Sequence, residues 1–315
     1  VSSHIYRRHK QDRTQMKTVA FLDLLGFGQV ALKDTNGAIE LISDYQIIVN
    51  NKVTDATIHP TLLTTAEEIC ADSFETLLPF SDSIFITSLD PYKFVKQVAH
   101  LLSHSFLINA NQYSQPDNPA NPMETTIPEI VSLTETRRLK VNRYPVLFRG
   151  GISFGNVANL TVNSIVNNNI SPLTNLTGTA LVEAVYLEKS GKGPRVFCNK
   201  GFVDQLNKST KDKFIGTIKA DELYEIYWTT SVFFDQNDCR IDIREFDKHF
   251  IPAVNLWKAF NHLEYGIQYY EFIKLIVKGT LHYYRFKNCE QIAIDYIKDK
   301  VKSVGLEVKW DDLTK

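Results

Sequence analysis

The chain has 315 residues, 43% of them apolar, enough for one large domain or a standard domain with a smaller one. With 35 basic against 36 acidic residues it is nearly neutral, so charge proposes neither nucleic acid nor a membrane surface as partner. Cys70, Cys198, Cys239 and Cys289 stand far apart with no CxxC pair, which excludes a zinc knuckle and a disulfide scaffold. No apolar run approaches the ~20 residues of a membrane span. Residues 1–18 lack a signal-peptide core. The expected compartment is the cytoplasm.

In chain order, residues 1–16 read as a basic arm (Arg7, Arg8, Lys10, Arg13), solvated or dimer-contacting because no basic face follows it. Residues 17–23 predict a buried strand that delivers Asp23 into a glycine turn, Leu24-Leu25-Gly26-Phe27-Gly28. Residues 37–52 predict an amphipathic helix. Residues 74–80 and 83–88 predict a hairpin with Asp82 at its tip. A helix follows over 91–109, after Asp90-Pro91. Residues 111–128, with four prolines, predict a long surface loop.

"PVLFRGGISFG" (145–155) reads as a strand whose glycines allow close backbone approach, and 178–191 as a helix stopped by Gly191. "RVFCN" and "ELYEIYW" are two further strands. From about Asp242 the pattern turns helical and aromatic, with Trp257, Phe260, Tyr265, Tyr269 and Phe272 at helical spacing; packing on the core or across a dimer explains it best. The division is an α/β core domain over 17–232 and a helical C-terminal extension over 233–315.

The chemistry concentrates on two acids. Asp23 and Asp82, brought together by a sheet, would repel unless a proton or metal sat between them. Hard oxygen ligands with open coordination positions suit Mg²⁺ or Mn²⁺, with phosphates completing the shell. The turn from Leu25 to Gly28 would offer backbone N–H groups to phosphate. Each acid also has a plain structural use, as a helix cap or a turn residue. "SGKGP" (190–194) lacks the spacing of a P-loop, and Leu25 stands where a haloacid-dehalogenase-like phosphotransferase needs its second Asp.

In order, "FLDLLGFG", "FSDSIFI", "FRGGISFG", "LTGTALVEAVYLEKSGKG" and "IKADELYEIYW" resemble the class III nucleotidyl cyclase domain over residues 17–230. The resemblance implies an α+β fold: a ferredoxin-like cyclase sheet with helices packed on it, here with the helical extension added. It implies a head-to-tail homodimer with active sites at the interface. Asp23, Asp82 and the Leu24 carbonyl would hold two metals. Leu25, Gly26, Phe27, Gly28 and Arg149 would hold the triphosphate, and Lys219, opening the closing strand, would reach it from the partner.

The departures carry as much as the matches. Leu78 and Asn175 stand where purine cyclases read the base edge, and Val182 and Tyr186 where they carry an Asn and an Arg for the ribose and transition state. These departures are similar to the pyrimidine cyclases of bacterial Pycsar antiphage systems, which make cyclic UMP or cyclic CMP for a separate effector protein. The resemblance implies UTP, ahead of CTP, as substrate. With the transition-state arginine gone, Lys219, Arg143 and Arg195 are the candidate replacement cations. A catalytically silent nucleotide-binding module and a conventional adenylate or guanylate cyclase are the alternatives.

Overall fold

The computed structural model describes residues 14–57, 69–132, 135–166, 169–233, 242–306 and 310–314. Arg7, Arg8, Lys10 and Arg13 of the basic arm, and Cys239, lie outside the described residues. The chain begins with β1 (Gln15–Leu24), the glycine turn, α1 (Phe27–Lys33) and α2 (Thr35–Asp55). Asp34 starts α2 by accepting a hydrogen bond from the Gly37 amide at 2.9 Å, a helix cap made by a short acidic side chain. The hairpin of β2 (Thr76–Phe80) and β3 (Ser83–Ser88) follows, then α3 (Pro91–Leu107), capped by Asp90 with Pro91 in the first turn.

Residues 111–128 are not one loop. They contain most of α4 (Ala110–Ser114) and the start of β4 (Glu124–Ser132), which pairs with β5 (Glu135–Asn142) as a separate two-stranded ribbon. Pro128 fits there because a two-stranded ribbon consists of edges, where a missing N–H breaks no central ladder.

β6 (Phe148–Val166) runs far past the expected strand and doubles back as β7 (Asn169–Thr177), forming a long arm. The expected helix is α5 (Thr179–Glu188), and it stops short of Gly191; the left-handed residue of that segment is Gly193. The rest of the sheet is β8 (Val196–Cys198), α6 (Lys200–Val203), α7 (Lys208–Phe214), β9 (Ile215–Lys219) and β10 (Leu223–Ile226). Lys219 therefore ends β9 rather than opening the closing strand. A 3-10 turn over Trp228–Phe233 leads toward α8 (Phe246–Phe260), α9 (Gly266–Phe286), α10 (Glu290–Ser303) and α11 (Trp310–Thr314).

The sheet is mixed and mainly antiparallel, in the order β2-β3-β1-β6-β8-β10-β9, with β7 paired to the outer part of β6; only the β6–β8 pair is parallel. This is an α+β architecture, a central sheet with helices packed on it. Alternation along β1 sends Ala20, Leu22 and Leu24 to one face and Val19 and Phe21 to the other. The first face belongs to a large apolar cluster that also takes in α2, α3, α8 and α9. There Trp228 stacks on Phe272 at 5.4 Å and Phe106 meets Phe272 edge-on at 4.8 Å, so the helical extension packs directly on the core.

The second face is covered mainly by α5, over a small cluster of Val19, Val157, Leu176, Ala180, Leu181 and Ala184. Gly151 makes that contact possible: a Cβ there would lie 2.1 Å from the Ala184 carbonyl oxygen.

Candidate active site

Strand register assembles the site. At the end of β1, Asp23 sits beside Ser83 on β3 and Arg149 on β6, and all three point to the α5 face. Asp82 occupies the β2–β3 turn, whose backbone carbonyl accepts the Leu24 N–H at 2.9 Å, so the two acids come from adjoining strand ends. One row inward on the same face, Leu78, Phe85 and Phe21 lie across β2, β3 and β1, with the Phe21 and Phe85 rings 4.9 Å apart.

Asp23 is already engaged. Its Oδ1 accepts from the Ser83 hydroxyl at 2.9 Å, and its Oδ2 accepts from Arg149 Nε and Nη2 at 3.1 and 3.0 Å. The Arg149 guanidinium also lies 2.5 Å from Glu188, the last residue of α5. Glu188 is 4% exposed, and burial raises its carboxyl above the usual carboxylate range despite the opposing pull of Arg149; the charge of Asp23 adds to the rise. Asp82 is half-buried, and no group among the described residues donates a hydrogen bond to its carboxylate. Its charge adds to the burial that raises the Tyr45 phenol, which donates to the Ser83 carbonyl at 3.0 Å.

The glycine turn is formed by Gly26 at φ 80, a left-handed conformation that a residue with a Cβ adopts at a cost. Its carbonyl accepts from Gln29 and Val30 to start α1. The amides of Phe27 and Gly28 fall in that first turn, where the helix supplies no acceptor. The Leu25 amide is not available to phosphate, because it donates to the Leu147 carbonyl at 2.8 Å.

Val182 and Tyr186 lie one turn apart on the exposed side of α5. Asn175 is on β7 at the base of the arm, opposite Leu160. Lys219 pairs with Glu222 at the far edge of the sheet. Four strand spacings of ~4.8 Å place β9 roughly 19 Å from β1, too far for Lys219 to serve this end of the sheet within one protomer.

Two of the candidate cations drop out. Arg143 binds Asp44 through Nε and Nη2 at 3.0 and 2.8 Å, and Arg195 is clamped by buried Glu225 and by Glu271. Both hold the core together. Glu188 and Ser83 were not foreseen from the sequence. Glu188 closes a helix next to Lys189; Gly151, whose missing side chain lets α5 sit on the sheet, is the available hint that it is drawn inward.

Asp23 and Asp82 supply hard oxygen donors of the type Mg²⁺ or Mn²⁺ takes, and Asp82 is unclaimed, so the residues present fit such a cation. Among the described residues no cluster of three or more His, Cys, Asp or Glu side chains could hold a metal by itself, so a cation here would need substrate or backbone oxygens to complete its shell. Among the described residues no helix is long and apolar enough to cross a membrane.

No protein-family model matches the chain, and no curated protein is similar to it. Solved structures similar to it include the adenylyl cyclase CyaB from P. aeruginosa, at 13% identity and TM-score 0.40, over 68% of this chain and 95% of that one. The guanylyl cyclase Cya2 is similar at 12% identity and TM-score 0.40, over 69% of this chain and 94% of that one. An adenylate cyclase from Trypanosoma brucei in its monomeric state is similar at 12% identity and TM-score 0.40, over 68% and 90%.

Proposed function

We propose that the chain is a homodimeric, divalent-cation-dependent nucleotidyl cyclase. It would convert a pyrimidine nucleoside triphosphate, UTP ahead of CTP, into the 3′,5′-cyclic monophosphate and pyrophosphate, as an antiphage signal read by a separate effector. Residues 17–232 would be the cyclase domain and 233–315 its helical extension. The observation that carries the reading is the pairing of Asp23 with the Asp82 turn through the Leu24 amide, beside a glycine turn and an arginine in register.

Asp23, Asp82 and the Leu24 carbonyl would hold the cations. When bound, these neutralise the leaving pyrophosphate and acidify the ribose 3′-hydroxyl. The 3′-hydroxyl would give up its proton to solvent, and its oxygen would bond to the α-phosphorus as the bond to pyrophosphate breaks. Arg149 lies between two acids, so it can stay anchored on Glu188 while it releases Asp23 and turns to the triphosphate. The Phe27 and Gly28 amides would meet the same phosphates.

Leu78 supplies no polar group to read a purine edge, which supports a smaller base. Exposed Leu160, Val162, Ile170 and Leu173 on the β6–β7 arm, with Val182 and Tyr186 on α5, support pairing with a second copy that brings Asn175 and Lys219 to this site. A second reading is favoured by one fact: both carboxylate oxygens of Asp23 are taken by Arg149 and Ser83. A chain that never releases Asp23 would be a silent nucleotide-binding module.

Incubation with Mn²⁺ and each of the four ribonucleoside triphosphates, with an Asp23→Ala, Asp82→Ala control, decides between them. A cyclic pyrimidine nucleotide from the wild type alone is the expected product by mass spectrometry. A cyclic purine product would move the reading to a conventional adenylate or guanylate cyclase. Nucleotide binding with no pyrophosphate release would favour the silent module.

A further inference from the structure

A cavity of about 460 Å³ lies behind the glycine turn, between α1 and the helical extension. None of Asp23, Asp82 or Arg149 lines it. Its apolar floor is Leu25, Val30, Leu147 and Ile267, and the rings of Tyr144, Tyr265 and Tyr269 wall it. Leu22 and Leu24 point toward this side of the sheet and Asp23 toward the other, so the turn from Leu25 to Gly26 is a wall shared by two separate spaces.

Tyr144 is spent on Asp34 and Gln268 on the Gly193 amide, but three polar groups here are unspent. Tyr269 is 7% exposed, and among the described residues its hydroxyl has no hydrogen-bond partner. Burial, with the neighbouring phenols of Tyr113, Tyr265 and Tyr144, raises it well above the usual tyrosine range, so it stays a neutral donor. Lys33 and Lys192 stand on the rim, and neither has an ion-pair partner among the described residues. Glu264 is the one acid on that rim.

Lys192 is held in place: the next residue, Gly193, donates its amide to Gln268 Oε1 at 2.5 Å, and the Pro194 carbonyl accepts from Trp228 Nε1 at 2.8 Å. The "SGKGP" segment, which fails as a P-loop, thus presents Lys192 from an anchored backbone at the edge of an aromatic-walled space. Ligand sites are commonly apolar cavities of about this size with a few convergent polar groups.

We propose that this cavity binds a small planar aromatic anion, its ring between the tyrosines, its charge between Lys33 and Lys192, and an acceptor on the Tyr269 hydroxyl. Such a ligand would touch both the extension and the turn that fronts the candidate active site. Binding itself does not depend on the cyclase reading, and the test reads binding without turnover.

The probe is 8-anilinonaphthalene-1-sulfonate, titrated by fluorescence into the full chain, with N-phenyl-1-naphthylamine as its uncharged counterpart. One saturable sulfonate site is expected. The Lys33→Glu, Lys192→Glu variant changes exposed side chains and should fold; it should weaken the sulfonate probe by at least roughly tenfold and leave the neutral one unchanged. Ile267→Trp, which fills the cavity from a partly exposed position, should abolish both. Equal loss of both probes in the charge-reversed variant, or unchanged sulfonate binding in either variant, would overturn the proposal.

Discussion

The two faces of the sheet are built on different terms. The face toward α2, α3, α8 and α9 is closed by interlocking aromatic rings, and its buried charges are matched: Asp44 with Arg143 and Asn109, Lys52 with Asp55. The face toward α5 is sparsely covered. It leaves Phe21 and Phe85 half-exposed and carries Asp23, Arg149 and a buried Glu188 whose ionisation its surroundings oppose. An enclosed face has its charges settled within the protomer. An open face with unsettled charges is where substrate, cation or a second subunit would complete the structure. Substitutions on the two faces should therefore fail in opposite ways.

The largest effect is expected on the open face. Asp82→Ala should lower turnover on the order of 10³-fold or more, the scale of losing a group that stabilises a transferring phosphoryl. Its carboxylate has no hydrogen-bond donor among the described residues, so unfolding free energy should move by no more than about 0.5 kcal/mol. Activity and denaturant curves on one preparation check both. A large stability loss would mean that Asp82 is a structural turn residue, and the contrast between the faces would break.

On the closed face Phe272→Ala should do the reverse. Phe272 is fully buried between Phe106 and Trp228, and removing such a ring costs about 3–5 kcal/mol. Urea unfolding reads the loss directly. An unfolding curve that splits into two transitions would show that the extension separates from the sheet as its own unit.

How much of this contrast was legible beforehand differs by link. The apolar runs around Asp23 and Asp82 gave the strand ends, and Gly26 and Gly150-Gly151 marked where backbone turns or approaches. Glu188 was hidden because burial of a helix-terminal acid depends on what α5 rests on, which is a tertiary fact. The β6–β7 arm was missed because its exposed strands lack the one-sided alternation that a half-buried strand imposes. The same blindness affected Arg143 and Arg195, which read as spare cations until their buried acid partners, far away in sequence, were seen. Lys219 was displaced by a single hairpin: it ends β9, and the turn over 220–222 separates it from the closing strand β10.

A smaller effect sharpens the contrast through pH. His249 on the closed face is 1% exposed, contacts Ser103, Phe106 and Trp228, and burial lowers its pKa to about 3. An unfolded histidine takes a proton below about 6.5, while the native one stays neutral down to about 3. The stability it permits is full above pH 6.5 and is lost as pH falls toward 3, at up to ~1.4 kcal/mol per pH unit. Unfolding at pH 7 and pH 5 should differ by about 2 kcal/mol from this imidazole, and His249→Gln should shrink the difference by that amount.

The smallest effect overall is expected at Tyr186, 69% exposed on α5. Tyr186→Ala should leave unfolding within about 0.5 kcal/mol of wild type, because little packing is lost. Its effect should appear only when a partner or substrate covers the open face: weaker self-association in sedimentation, or a changed ratio of UTP to CTP turnover. A change in base preference at unaltered self-association would place the phenol in the base pocket. Weaker association with the ratio unchanged would place it in the subunit contact. If neither moves, Tyr186 is ordinary surface, and the open face is defined by Phe21, Phe85 and the β6–β7 arm alone.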